Sequence, residues 1–211
     1  MLETVEHDDP AATGTVIWLH GLGADGHDFS PIVPQIGLPL RYVFPHAPVR
    51  PVTLNNGLSM RAWFDLYSSI RDARIDEAGI AASRAAVTAL VAREVAHGTP
   101  ASRIVLAGFS QGGALALATG LGHAEPLAAV VSLSAWLPSS HARVDAAQAA
   151  TPVFLGHGTF DAVVEAPLGR ATYEALRARG CAAEWHEYPI AHQVSASEIA
   201  DLKAFLARVL A

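Results

Sequence analysis

The stretch Arg103–Leu121, RIVLAGFSQGGALALATGL, decides the fold. Its first half is a short apolar run suited to a buried strand, its second half is rich in helix-forming alanine and leucine, and no loop separates them. At the junction lies Gly108-Phe109-Ser110-Gln111-Gly112, a G-x-S-x-G pattern. The motif alone is weak; its position between a strand and a helix carries the weight. A strand that reverses directly into a helix strains the residue at the bend and leaves room only for glycine beside it. Ser110 is thereby expected at the carboxyl edge of a sheet, where open α/β folds gather their ligands.

On either side the chain alternates short apolar runs with longer amphipathic ones, the pattern of a mostly parallel sheet covered by helices on both faces. The remaining strands are expected at Thr15–Leu19, Arg41–Phe44, Leu127–Ser134, Pro152–Gly156 and Ala182–Tyr188, with Leu2–His7 as an antiparallel edge. Helices are expected near Asp28–Gln35 and over Asp76–Ala96, Pro167–Arg179 and Ser195–Leu210. Gly180 suits a left-handed cap, and Ser195 with Glu198 forms an S-x-x-E capping box. The charged run Arg71–Glu77 reads as a solvated approach to a helix. Pro45–Met60 has repeated prolines and an Asn-Asn-Gly turn but no period, and long irregular segments of this kind are often functional.

One domain spanning residues 1–211 suits this length. A net charge of −6 does not suit a nucleic-acid binder, which needs basic residues against phosphates. No signal peptide or membrane span is evident, which points to a cytoplasmic protein. Cys181 is the single cysteine, so no internal disulfide forms, and it reads as a small buried hydrophobe.

A serine hydroxyl needs a base to take its proton and a carboxylate to orient that base. Of the ten histidines, His192 follows the last strand and precedes the last helix, which brings it to the same sheet edge as Ser110. His186 lies inside that strand, and His157 ends another too close to the acid; His97, His123 and His141 read as surface or loop residues. Asp161, just beyond PVFLGHGTFD's strand, is the expected acid, ahead of Asp145 in a helical stretch and Glu165 at a helix start. An oxyanion needs backbone donors, expected from the N–H of Gln111 and, in the His20-Gly21-Leu22-Gly23 turn, from that of Leu22. His20 itself reads as a loop brace. His20, Asp25 and His27 lack a ligand spacing, so neither metal nor organic cofactor is expected.

The segments IWLHGLGADG, PHAPVRPVTLNNG, MRAWFDL, GFSQGGA, HGTFDAVV and YPIAHQVS together resemble the bacterial carboxylesterase and acyl-protein thioesterase family, over nearly the whole chain. The resemblance implies a compact α/β-hydrolase without a large lid, acting on esters or thioesters of short to medium acyl chains, and with lysophospholipase activity also described in the family. Carried over residue by residue, it places the triad on Ser110, Asp161 and His192 and the oxyanion donors on Leu22 and Gln111. A homodimer is expected from the family alone. Met60-Arg61 and Ala191 depart from the family's common Met-Pro and Gly, which bears on chain-length preference.

Only about fifteen residues separate Trp136 from the next strand, so any lid is short. Leu66, Trp136, Leu137, Val163 and Val164, with Leu22, are the expected acyl-pocket residues, from their placement at loop edges. The expected activity is hydrolysis of a small ester, acylated protein or lysophospholipid through an acyl-enzyme. A hydrolase-fold binding protein without turnover and a peptidase using the same triad are the competing classes.

Overall fold

TVIWL and IVLAGF lie side by side at the centre of the molecule, parallel and in register from Thr15 opposite Ile104 to Leu19 opposite Gly108. Both are apolar at nearly every position because helices cover both faces of a parallel sheet. The structure is a computed structural model and describes residues 1–67, 74–138 and 149–211. In chain order its elements are β1 (Thr4–His7), β2 (Thr15–Leu19), α1 (Val33–Ile36), β3 (Arg41–Pro45), β4 (Val49–Val52), β5 (Leu58–Arg61), α2 (Glu77–Ala96), β6 (Ile104–Phe109), α3 (Gln111–Gly120), β7 (Ala129–Leu133), β8 (Val153–Gly158), α4 (Ala166–Ala178), β9 (Ala183–Tyr188) and α5 (Ala196–Val209).

The seven-stranded sheet runs β1-β3-β2-β6-β7-β8-β9. Only β1 is antiparallel, as an edge strand against β3. One apolar core gathers Ile17, Leu106, Val130 and Leu155 under α2, α3 and α4. The other gathers Val16, Val105, Val131 and Phe154 under α1 and α5. The mostly parallel sheet with helices on both faces, expected from the alternating pattern, is therefore present.

Several boundaries have a local chemical cause. Asp76 caps α2 by accepting the Gly79 N–H at 2.9 Å, and the same carboxylate accepts the Asp65 N–H at 2.9 Å, tying the helix to the segment before it. Glu94, fully buried in the last turn of α2, is paired with Arg41 Nε at 2.7 Å and Arg93 at 2.8 Å. Gly180 follows α4 with a φ of +80°, the left-handed conformation expected of it. The segment read as aperiodic, Pro45–Met60, contains an antiparallel hairpin of β4 and β5 turning through Asn56 and Gly57, both at positive φ. Of the residues in its short strands only Val52 is buried, so they carry none of the apolar alternation that marks a strand with one buried face.

The capping box at α5 is only half formed. Ser195 Oγ accepts the Glu198 N–H at 3.1 Å. The Glu198 carboxylate is fully buried, and neither oxygen lies within hydrogen-bond distance of a donor among the described residues, although the Ser195 N–H is near enough to stabilise its charge weakly. It is wedged against Gly156 instead, where a methyl group would overlap it. Burial pushes the Glu198 pKa up to about 7, against a weaker downward pull from the Ser195 N–H and with Asp201 adding to the rise. A carboxyl whose folded pKa is raised favours folding least when it ionises. Stability is therefore full below about 4.5 and falls as pH rises through about 7, by about 3 kcal/mol. Glu198→Gln should remove this decline, so that urea unfolding shows the variant more stable than the parent at pH 8 and level with it near pH 4.5. A constant difference across that range would contradict the assignment.

Candidate active site

The reversal between β6 and α3 puts Ser110 at φ +54° and ψ −120°, a conformation that L residues rarely adopt. The neighbouring glycines make it feasible. A Cβ on Gly108 would overlap the Gly112 carbonyl, and one on Gly112 would overlap the carbonyls of Leu19 and His20 at the end of β2. The bend is thus packed directly against the turn that follows β2.

Three loops converge there. His192, between β9 and α5, places Nε2 3.0 Å from Ser110 Oγ. Its Nδ1 lies 2.7 Å from Asp161 Oδ2, and since a carboxylate only accepts, Nδ1 carries the proton and Nε2 receives the serine's. The other Asp161 oxygen accepts the N–H groups of Val163 and Val164, each at 2.9 Å. Phe109 holds the far side of the imidazole, its ring centroid 4.7 Å away. His157, which extends β8 beyond its expected end, donates Nε2–H to the Val164 carbonyl at 2.7 Å and so closes the Asp161–Val164 turn. Its ring is buried, and burial is the main cause lowering its pKa.

The turn after β2 brings Gly21 and Leu22 to the opposite wall. Neither Leu22 N–H nor Gln111 N–H is taken by an acceptor among the described residues. The Gln111 side chain is a clamp: Oε1 accepts the Trp63 N–H at 2.9 Å and Nε2 donates to the Phe64 carbonyl at 2.8 Å. A side-chain substitution there would disturb this clamp, a role that the G-x-S-x-G pattern does not reveal.

Ser110 and His192 open onto a cavity of about 370 Å³, also lined by Leu22, Leu54, Leu66, Phe109, Trp136 and Val163. Of the residues expected at the pocket, Leu22, Leu66, Trp136 and Val163 line it. Leu137 borders a neighbouring groove against α4 instead, held by its N–H to Thr172 Oγ1 at 2.9 Å. Val164 is fully buried behind the Asp161 turn. Both depart from expectation because adjacent residues of a turn point to opposite sides. Leu54 and Phe109 were not anticipated; Leu54 lies in the proline-rich segment whose irregularity was the available signal. Asp145, His141 and most of the connection after Trp136 fall outside the described residues, as does part of the Arg71–Glu77 run.

Both ring nitrogens of His20 are engaged, so it is not available to join Asp25 and His27 as a ligand. Asp25 and His27 gather with His46 instead, their polar atoms within 4.8 Å of one another. His46 Nδ1 there accepts the Gly26 N–H at 3.0 Å, and His27 Nδ1 pairs with Asp25 at 3.1 Å.

Hydroxyl, imidazole and carboxylate in series at the carboxyl edge of an α/β sheet define the serine-hydrolase class. Known proteins agree. A family profile described as Phospholipase/Carboxylesterase matches residues 1–210. Acyl-protein thioesterase 1 of Cryptococcus neoformans is 37% identical over 227 residues, covering 95% of this chain and 94% of that protein. Arabidopsis thaliana SOBER1 superposes with a TM-score of 0.88 at 33% identity, over 94% of this chain and 99% of its own. Zea mays acyl-protein thioesterase 2 does so at 0.87 and 29% identity over the whole of both chains. The chain belongs to the phospholipase/carboxylesterase family of α/β-hydrolases and is a serine hydrolase. These relatives are fungal and plant proteins. Among the described residues, no helix is long and apolar enough to cross a membrane.

The packing at the bend yields a prediction. Gly112→Ala forces a methyl group into two backbone carbonyls that cannot rotate away. It should cost about 2–3 kcal/mol in urea unfolding and lower ester hydrolysis at least about tenfold by displacing Ser110 from the Leu22 turn. A stable variant with parental turnover would show that this contact is not what sets the bend.

Proposed function

We propose that this protein hydrolyses carboxylic esters and thioesters, with Ser110 as nucleophile, His192 as general base and then acid, and Asp161 as the group that orients His192. The supporting observation is the unbroken hydrogen-bonded series from Asp161 through His192 to Ser110, opening on an apolar cavity. Ser110 Oγ attacks the acyl carbonyl while its proton passes to His192 Nε2. The oxyanion is received by the N–H groups of Leu22 and Gln111, each worth about 3 kcal/mol in the transition state. His192 then protonates the leaving alcohol or thiol, and the carbonyl re-forms as the acyl-enzyme. Water, deprotonated by the same imidazole, attacks the acyl-enzyme and restores Ser110.

The substrate class follows from the walls. Leu22, Leu54, Leu66, Trp136 and Val163 offer apolar surface to an acyl chain, and no described polar side chain besides Asp28, Gln111 and those of the series lines the cavity. Val163 is 59% exposed and Phe160 69% exposed, so the approach on that side is open to a bulky leaving group. Acylated proteins and lysophospholipids fit such an approach, and relatives from Cryptococcus neoformans and Zea mays carry the name acyl-protein thioesterase. Residues 1–211 act in this reading as one catalytic unit, and a cytoplasmic setting suits it.

Paired p-nitrophenyl ester and acyl-thioester substrates of graded chain length test the reading. Ser110→Ala should abolish turnover of both, a loss of at least about 10³-fold, and Asp161→Asn should lower kcat by about 10⁴ without unfolding the chain. Parental rates in Ser110→Ala would remove the enzyme reading and leave a binding protein. Release of amide reporters without ester cleavage would favour a peptidase.

A further inference from the structure

His20 is 1% exposed and sits immediately before the peptide unit whose N–H is assigned to the oxyanion. Its Nδ1 lies 2.7 Å from the carbonyl oxygen of its own neighbour, Gly21. A carbonyl only accepts, so Nδ1 bears the ring proton. Nε2 in turn receives the Ala47 N–H at 3.0 Å and must present its lone pair. The two contacts together fix one neutral tautomer. Burial, the largest influence, also lowers the His20 pKa, so the ring stays neutral.

The Gly21 carbonyl and the Leu22 N–H belong to a single peptide unit. That peptide bond is trans, so these two groups point in opposite directions across its plane. Holding the carbonyl toward His20 therefore aims the N–H away from it, and Gly21 and Leu22 line the cavity with Ser110. The Gly21 carbonyl also accepts the Ala24 N–H at 3.3 Å, which reinforces the orientation. The ring is fixed by its surroundings: its centroid is 5.2 Å from that of Trp63, whose Nε1–H donates to the His20 carbonyl at 2.9 Å. Ala47 follows the end of β3, where His46 N–H is bonded to Glu3, so the anchor at the far end of the series is part of the sheet's rim.

We infer that His20 is a positioning residue for the oxyanion site: the series Ala47 N–H to Nε2, Nδ1–H to Gly21 carbonyl, and Leu22 N–H to substrate oxygen orients and polarises the second oxyanion donor. All three hydrogen bonds run in one direction. Each donor draws electron density from the next, so the Leu22 N–H is a stronger donor when the Gly21 carbonyl is itself bonded. As charge builds on the substrate oxygen, every link of the series strengthens. The effect is greatest in the transition state and small for the bound substrate, whose carbonyl carries little charge. This rests on the proposed roles of Ser110 and Leu22 and names what holds the second donor in place.

Asparagine and glutamine at this position separate the two contacts. The amide nitrogen of His20→Asn falls near Nδ1 and keeps a donor for the Gly21 carbonyl, whereas the amide oxygen of His20→Gln falls near Nε2, keeps the acceptor for the Ala47 N–H and leaves the Gly21 carbonyl without its donor. Both are polar and neutral. The readouts are kcat and KM on one ester, and inhibition by an alkyl trifluoromethyl ketone beside the methyl ketone of the same chain. The fluorinated ketone adds the serine oxygen to its carbonyl and places an oxyanion in the site; the methyl ketone stays trigonal.

His20→Gln should lose about 10²-fold in kcat and the same factor in affinity for the trifluoromethyl ketone, with KM and methyl ketone binding within about threefold of the parent. His20→Asn should recover most of that loss. Equal kcat in the two variants would overturn the inference. So would equal weakening of both ketones, since that is the mark of a collapsed pocket. Ser110→Ala is assayed alongside: if it retains turnover, the underlying mechanism fails, whereas if it is inactive and the His20 variants match, only the role of His20 fails.

Discussion

The contact between Gly112 and the carbonyls of Leu19 and His20 governs the geometry of the site. It forces the first turn of α3 onto the end of β2, and Ser110 takes up the left-handed backbone that this approach requires. Strain of that kind costs about 1–3 kcal/mol and persists only where the surroundings over-determine it. Here they do. α3 is buried at every residue, and a Cβ on Gly113 would lie 2.7 Å from that of Ala135, so the helix has no room to retreat. The bend and the turn after β2 are consequently one packed unit, and the spacing between the serine oxygen and the Leu22 N–H is set by core packing rather than by a loop.

The opposite wall is organised by hydrogen bonds instead of close packing. Asp161 receives donors on both oxygens, two from its own turn and one from His192, so among the described residues its charge is met without a salt bridge to Lys or Arg. His157 fixes the turn through the Val164 carbonyl and lies 3.7 Å from Asp161 Oδ2, with Trp185 stacked on its ring. A carboxylate held this way serves to orient the imidazole and to balance the positive charge the imidazole acquires when it takes a proton. Two histidines thus support the site from outside it. His157 steadies the acid turn, and His20 steadies the peptide proposed as the second oxyanion donor.

The backbone of this arrangement was legible in the chain because it follows from topology. In a parallel sheet the loops after successive strands share one edge, so a serine after β6, an acid after β8 and a histidine after β9 can meet, and the order along the chain selects among ten histidines. The pocket was less legible. Val163 lines the cavity while Val164 is fully buried, and Trp136 lines it while Leu137 turns to α4. No periodicity distinguishes neighbours on an irregular segment, because the direction of each side chain depends on local backbone turns. The hairpin of β4 and β5 escaped for a related reason: with only Val52 buried, its residues are under little pressure to alternate. The capping box at α5 was legible in its serine, which caps the Glu198 N–H, whereas the burial of the Glu198 carboxylate beside Gly156 is a tertiary effect that the S-x-x-E spacing does not carry.

This division between what topology fixes and what side chains decide has a functional counterpart. The groups proposed to meet the developing charge are main-chain N–H groups, and their positions depend on glycine contacts and a buried imidazole rather than on the identity of the residues that carry them. The groups proposed to meet the acyl chain are side chains on loops, among them Leu54 on the hairpin turn and Val163 on the acid turn, and both are partly exposed. Substitution there changes the shape offered to a chain without moving Ser110, His192 or the two proposed donors. A fold built this way can keep one reaction while its substrates diverge, and selectivity between ester and thioester then rests on how the cavity rim meets the leaving group, because oxygen and sulfur leaving groups pass through the same tetrahedral oxyanion.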